Sequence, residues 1–270
     1  MKDIDSRFAK TLEIVKETGD MVWKRQFEDF KVGFKGNRLD PVTEIDKMAQ
    51  KKILDFIVTE FPGDNFLGEE DGYDKTPVDC EHLWIVDPID GTANFMHGLP
   101  LWCVSVAFYS LGKPLFGVVY APALNQMFKA KNGNGAYLND KQINVSDIQN
   151  LEESCLSTGL TDLIRNSKEE KLGNLITDAF SSAQRMRFFG TAALQICYVA
   201  SGWTEGFFET TLKPWDVAAA VLILKEAGGC SSDMSGNTYS LSRRDIVSSN
   251  EKVQGEILKL IERNFDIFDK

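Results

Sequence analysis

The sequence predicts an α+β fold built as two lobes, and three observations predict it. Residues 101 to 145 read as successive β segments joined by tight turns, which is the pattern of a mostly antiparallel sheet. Beyond residue 146, strand-like and helix-like stretches alternate, as they do when helices cover a mixed sheet. The composition of the 270-residue chain, 43% hydrophobic and 26% charged, supplies ample apolar material for a core. The division falls at that shift, giving an N-terminal lobe of residues 1–145 and a C-terminal lobe of residues 146–270 that share a large interface.

In order along the chain, Phe8, Leu12, Val15 and Val22 recur at helical spacing, so residues 5 to 29 form an amphipathic helix or helix pair. The stretch "KVGFKGNRLDPVTEIDK", 31 to 47, is rich in Gly, Pro, Asn and charge and reads as a loop. Met48, Ile53, Phe56 and Ile57 make the stripe of a second helix, stopped by Phe61, Pro62 and Gly63. "NFLGEEDGYD" is a short strand running into acids, and "HLWIVD" and "LWCVSVAFYS" are strands. "GKPLFGVVYAP" and "QMFKAKNGNGAYLND" continue the sheet, with turns at Gly112-Lys113 and Asn132-Gly133. In the second half "SCLSTGL" is a strand, 168 to 183 a helix, and "RFFGTAALQICYVASG" a strand feeding a helix. "TEGFFET" is a strand, and "PWDVAAAVLILKEAGG" a helix closed by Gly228. A strand "DIVSSN" and a helix over 252 to 263 follow.

A net charge of −10 argues against a nucleic-acid binder, which needs a basic face to grip phosphates. It leaves an anionic substrate open, because bound cations reverse a local field. The five cysteines are odd in number and lack CxxC spacing, so they read as reduced, buried thiols. "MKDIDSRFAK" has no apolar signal core, and no apolar run nears the roughly 18 residues that span a bilayer. The expected location is cytoplasmic, with no membrane and no nucleic-acid partner.

The chemistry centres on "WIVDPIDGTANFMHGLP". Asp87 ends a run expected to be buried, and an ionised carboxylate there needs a cation, hydrogen bonds or a metal. Pro88 and Gly91 let Asp87, Asp90 and the Ile89 carbonyl curl round one point. All-oxygen sets of this kind suit Mg²⁺ or Mn²⁺. Glu69 and Glu70 end another strand, and Asp216 opens a helix. Gly190-Thr191 stands where a strand gives way to a helix, whose unpaired amides and dipole can receive a phosphate. Each segment also has a purely structural reading: Asp90, Asp216, Thr191 and Thr92 are all ordinary helix caps. Spacing alone does not bring the acidic segments together. His82 and His97 read as surface residues, no cysteine has a base near it in sequence, and GxSxG, Walker A and HExxH motifs are absent.

Taken together, the motifs resemble the inositol monophosphatase family of Mg²⁺-dependent, Li⁺-inhibited phosphatases. "DPIDGTANF" is similar to its first signature and "WDVAAAVLILKEAGG" to its second; "GEE" precedes the one and "GTAA" the other at the usual distances. The resemblance implies a layered αβαβα sandwich, with an antiparallel sheet and a mixed sheet between helices. It implies two or three Mg²⁺ per subunit, with Mn²⁺ as a substitute: Glu69, Asp87 and the Ile89 carbonyl on the first ion, and Asp87, Asp90 and Asp216 on the second. It implies that Gly91 and Thr92 contact phosphate, and that Glu69 and Thr92 orient the attacking water. Ala192 and Glu209 then touch the polyol, Gly190 and Thr191 line the same pocket, and Lys35 and Asp46 belong to a charged flap that gathers metal and water. Glu70 matches no strict ligand. Members are usually homodimers. The implied reaction is hydrolysis of a small polyol phosphate, foremost inositol 1-phosphate. NADP 2′-phosphate, fructose 1,6-bisphosphate and other nucleotide phosphates are alternatives. From another class comes a non-catalytic regulatory protein that keeps the fold.

Overall fold

The computed structural model describes residues 4–34, 41–70, 72–159 and 169–264. Helix α1 (Ile4–Arg25) buries Ile14, Val15 and Val22 along one stripe. A short antiparallel hairpin follows, β1 (Val32–Phe34) with β2 (Pro41–Thr43). Helix α2 (Glu44–Glu60) then begins at once, inside the stretch expected to be a loop. Its start is a capping box. The Thr43 side chain accepts from the Ile45 and Asp46 amides, and the Asp46 carboxylate accepts the Thr43 N–H at 2.7 Å. The Thr-x-x-Asp spelling at 43 to 46 carried that signal.

The strands β3 (Asn65–Gly68), β4 (Leu83–Asp90), β5 (Cys103–Ser110), β6 (Lys113–Ala121), β7 (Gln126–Lys131), β8 (Ala136–Leu138) and β9 (Lys141–Ile143) form a seven-stranded sheet in chain order. It is antiparallel apart from the parallel edge pair β3–β4. The short helix α3 (Thr92–Met96) leaves β4 directly. A five-stranded mixed sheet follows in the order β11-β10-β12-β14-β13, made of β10 (Cys155–Thr158), β11 (Arg185–Arg187), β12 (Gly206–Glu209), β13 (Cys230–Ser232) and β14 (Ile246–Ser249). Its helices are α4 (Glu169–Ser182), α5 (Ala192–Ala200), α6 (Pro214–Glu226) and α7 (Gln254–Asn264).

The period-2 alternation of the strands sorts these elements into five layers. On the outer face of the large sheet, Trp84, Val86 and Val106 pack with Ile14 and Val15 of α1 and Ile53 and Ile57 of α2. The intervening residues Leu83, Ile85 and Ala107 face the other way and join one core with α5, α6, and Phe207 and Ile246 of the small sheet. Phe208 and Val247, on that sheet's far side, pack with Leu175 of α4 and Ile257 and Leu260 of α7. The result is an αβαβα sandwich whose middle layer, α5 and α6, serves both sheets. α5 and α6 are apolar all round because both their faces are covered.

Candidate active site

β4 continues past the expected strand end. Its pairing with β5 runs in register to Asp87↔Ser105, then slips so that Asp90 pairs with Cys103. The slip is a bulge at Pro88, which cannot donate to the ladder, where β4 has outrun its pairing with β3. Both acids are buried. The Asp87 carboxylate accepts the Ile89 N–H at 3.0 Å. The Ile89 carbonyl accepts the Thr92 hydroxyl at 3.0 Å, and Asp46 Oδ1 stands 3.1 Å from the same hydroxyl. One proton serves two acceptors here, and an ionised Asp46 is the stronger of them.

Glu69 follows β3, and the segment is held from α2. The Gln50 side chain accepts the Glu70 N–H at 2.8 Å and donates to the Glu70 carbonyl at 2.7 Å. Gly68 makes room for it, since a Cβ there would lie 2.5 Å from Gln50 Oε1. Asp216, in the first turn of α6, accepts the Lys213 N–H at 2.7 Å. Asp90 reaches across to α5. Its oxygens accept the Thr191 hydroxyl at 2.5 Å and the amides of Ala192 and Ala193 at 3.3 and 2.7 Å. The Gly190–Thr191 helix start does suit an anion, and in this structure Asp90 occupies that place while Thr191 caps the helix by accepting the Leu194 N–H.

Asp90 and Asp216 line one cavity of about 360 Å³, together with Gly190, Thr191, Ala192 and Glu209. Gly91 and Gly190 both have positive φ, and a Cβ on Gly91 would lie 3.2 Å from the Gly190 carbonyl, so the two Gly-Thr turns touch. Asn94 clasps them. Its Nδ2 donates to the Leu101 and Phe189 carbonyls at 2.6 and 2.7 Å. Sequence reasoning missed Gln50, Asn94 and Cys103, whose thiol lies 3.7 Å from Asp90 Oδ2. Lys35 lies outside the described residues. Asp46 is not on a flap but buried in the first turn of α2.

The electrostatics show a concentration of negative charge. Burial pushes the Asp90 carboxyl up to about 6 against the pull of its Thr191 and amide hydrogen bonds, and the Glu69 charge adds to the rise. Asp216 is held well above the ordinary carboxylate range by burial, then by Glu69 and Asp90. Burial raises Asp46 to about 6, opposed by Thr43 and Thr92 and helped by Glu69. These acids from distant segments therefore feel one another.

The inositol monophosphatase family matches residues 3–265 of this chain. The chain belongs to the inositol monophosphatase family. A Thermotoga maritima protein named fructose-1,6-bisphosphatase/inositol-1-monophosphatase is 40% identical over 94% of this chain and 95% of its own. A Dictyostelium discoideum inositol monophosphatase is 35% identical over 96% of each. The solved structure of a Thermotoga maritima IMPase matches with a TM-score of 0.88 and 35% identity, covering 96% of this chain and 98% of that one. This family member is thus a phosphoric monoester hydrolase.

The family is metal-dependent, and the donor chemistry of this chain fits a hard divalent ion. Glu69, Asp87, Asp90, Asp216 and the Ile89 carbonyl offer only oxygen, and the burial that raises Asp90 and Asp216, with the repulsion from neighbouring acids added to it, is what a cation would relieve. Among the described residues, no three His, Cys, Asp or Glu side chains form a closed ligand set. Asp90 is turned onto the start of α5, and Asp216 onto the Lys213 backbone.

Proposed function

We propose that the enzyme hydrolyses the phosphate monoester of a small polyol, foremost inositol 1-phosphate, with Mg²⁺ (Mn²⁺ as a substitute) as two or three ions per subunit. The observation that carries this reading is the cavity in which Asp90 and Asp216 share a wall with Glu209. Glu69, Asp87, Asp90, Asp216 and the Ile89 carbonyl would hold the ions. Bound Mg²⁺ neutralises the phosphate dianion and lowers the pKa of the attacking water. The protein supplies the rest. Glu69 accepts the water's proton, and the Thr92 hydroxyl, fixed by Asp46 and Ile89, orients that water. The first amides of α3, after Gly91, receive phosphate oxygens where charge builds. Ala192 and Glu209 meet the polyol, Lys35 assists the gathering of ions and water, and Asp46 acts through its hold on the Thr92 hydroxyl. Without cations the clustered acids repel the substrate, which rules the site out as a simple phosphate-binding surface. Phosphate release from inositol 1-phosphate should need Mg²⁺ and stop with EDTA; full activity in chelator defeats the reading. Lithium at millimolar levels should inhibit.

A second reading keeps the site and widens the substrate. The Phe188 ring is 52% exposed at the cavity mouth, where it can stack on a nucleobase. This favours a nucleotide such as NADP carrying a 2′-phosphate as an additional substrate. The dual name of the Thermotoga relative supports fructose 1,6-bisphosphate likewise. A purely regulatory role has no use for the convergent acids. Assembly as a homodimer belongs to the same reading; exposed Trp203, packed on Tyr198, is apolar surface that a partner copy would cover, and sedimentation measures it. A cytoplasmic location is supported by five free thiols. No described helix is long and apolar enough to cross a membrane.

A further inference from the structure

We infer that Gly159 is a positioning residue for Glu209: the absence of a side chain at 159 is the seat of the Glu209 carboxylate, and this seat sets the preference for hydroxyl-bearing substrates. The inference rests on the reading of the cavity as a polyol phosphate site. β10 and β12 run parallel, with Thr158 paired to Phe208, so the next residues, Gly159 and Glu209, come side by side at the cavity wall. The Thr158 hydroxyl donates to the Phe208 carbonyl at 2.6 Å and locks that register. A Cβ built on Gly159 would lie 2.5 Å from the Glu209 carboxyl carbon and overlap both its oxygens. Gly159 does not have the positive φ that demands glycine at Gly91 and Gly190. Its glycine is therefore a matter of room, and the occupant of that room is the one acid of the cavity wall that is not an expected metal ligand.

A methyl group at 159 pushes the Glu209 carboxylate off its seat by about an ångström, and misplacement on that scale costs roughly 10- to 100-fold in a positioned contact. The test compares inositol 1-phosphate with p-nitrophenyl phosphate, which offers no ring hydroxyls, on the full-length enzyme with Mg²⁺. Gly159→Ala should raise KM for inositol 1-phosphate by roughly tenfold or more. It should lose at least about ten times more kcat/KM on that substrate than on the aryl phosphate. Gly159→Ala with Glu209→Ala should be no worse than Glu209→Ala alone, and Gly159→Ala with the shorter Glu209→Asp should recover part of the loss. Equal losses on both substrates, or losses that multiply in the double variant, overturn the inference. A wild-type enzyme that cleaves only the aryl phosphate defeats the substrate reading instead. A crystal structure of Gly159→Ala then decides: a displaced Glu209 carboxylate supports the seat and an unmoved one overturns it. If Gly159→Ala does not fold, recovery of folding by added Glu209→Ala supports the clash, and failure to recover overturns it.

Discussion

The Asp90 carboxylate and the Thr191 hydroxyl meet at 2.5 Å across 101 positions of sequence. An acid on β4 thereby becomes the N-terminal anion of α5, sharing the helix amides with the cap that Thr191 also provides to Leu194. The helix dipole favours the charge there, and the bond ties the large sheet to the middle layer. Thr191→Val keeps the shape and removes both the donor to Asp90 and the cap acceptor for Leu194, so the loss from the bond to Asp90 comes on top of about 1 kcal/mol for the cap. A hydrogen bond to a buried charge is worth about 1.5–3 kcal/mol, so urea unfolding should show a loss of at least that size, with Thr191→Ser close to wild type. An unchanged midpoint for the valine variant would show that the bond is not made in solution.

The acids also set a pH dependence. Asp90 and Asp46 titrate near 6 in the folded protein against an ordinary 3.8. Between those values the folded chain binds more protons than the unfolded one, so these groups destabilise the fold progressively as pH rises from about 4 to 6. Mg²⁺ competes with those protons and relieves the repulsion. The rise in Tm on adding Mg²⁺ should be larger at pH 7.5 than at pH 5. Equal shifts at both pH values would contradict the assignment of Asp90 as a metal-facing group.

Asp87→Asn preserves the acceptor for the Ile89 N–H and deletes the charge. The variant should fold, because burying a neutral amide costs less than burying a carboxylate anion. Its turnover should fall by orders of magnitude when measured as phosphate release. Near-normal turnover would remove Asp87 from the ion-holding set.

Phe188 can be truncated without touching the acids. Phe188→Ala should lower kcat/KM for NADP about 5- to 100-fold, matching a stacking contribution of about 1–3 kcal/mol, while inositol 1-phosphate changes much less. Parallel losses on both substrates would leave the ring with no part in choosing between them.

The acids were legible because each sits in a local spelling that ties residue type to position: "GEE", "DPID", "PWD". The two lobes were legible in outline, but the layering came from the family resemblance, since β4 and the all-round apolar α5 and α6 are buried on both sides and carry no one-faced pattern to show what covers them. What holds the acids in place was not legible. Gln50 pairs with the Glu70 backbone, Asn94 with Phe189, and Gly159 with Glu209, and such pairings leave no mark in either local sequence. The Gly-Thr helix start shows the limit most plainly. Its amides do receive an anion, but the choice between phosphate and Asp90 was made by a strand a hundred residues away. The start of α2 reads as loop because a run of Gly, Pro and Asn hides the capping box at Thr43, and the flap role of Asp46 came from the family resemblance alone.

The two-sided middle layer also governs how the chain is born. The inner face of the large sheet, with Leu83, Ile85 and Ala107, is covered by helices that end at Glu226. At about 5–20 residues per second of synthesis, that face waits many seconds on the ribosome before its cover emerges. Through that interval the apolar residues of the inner face lack their native cover, so the newborn chain is more prone to aggregate until translation has passed α6.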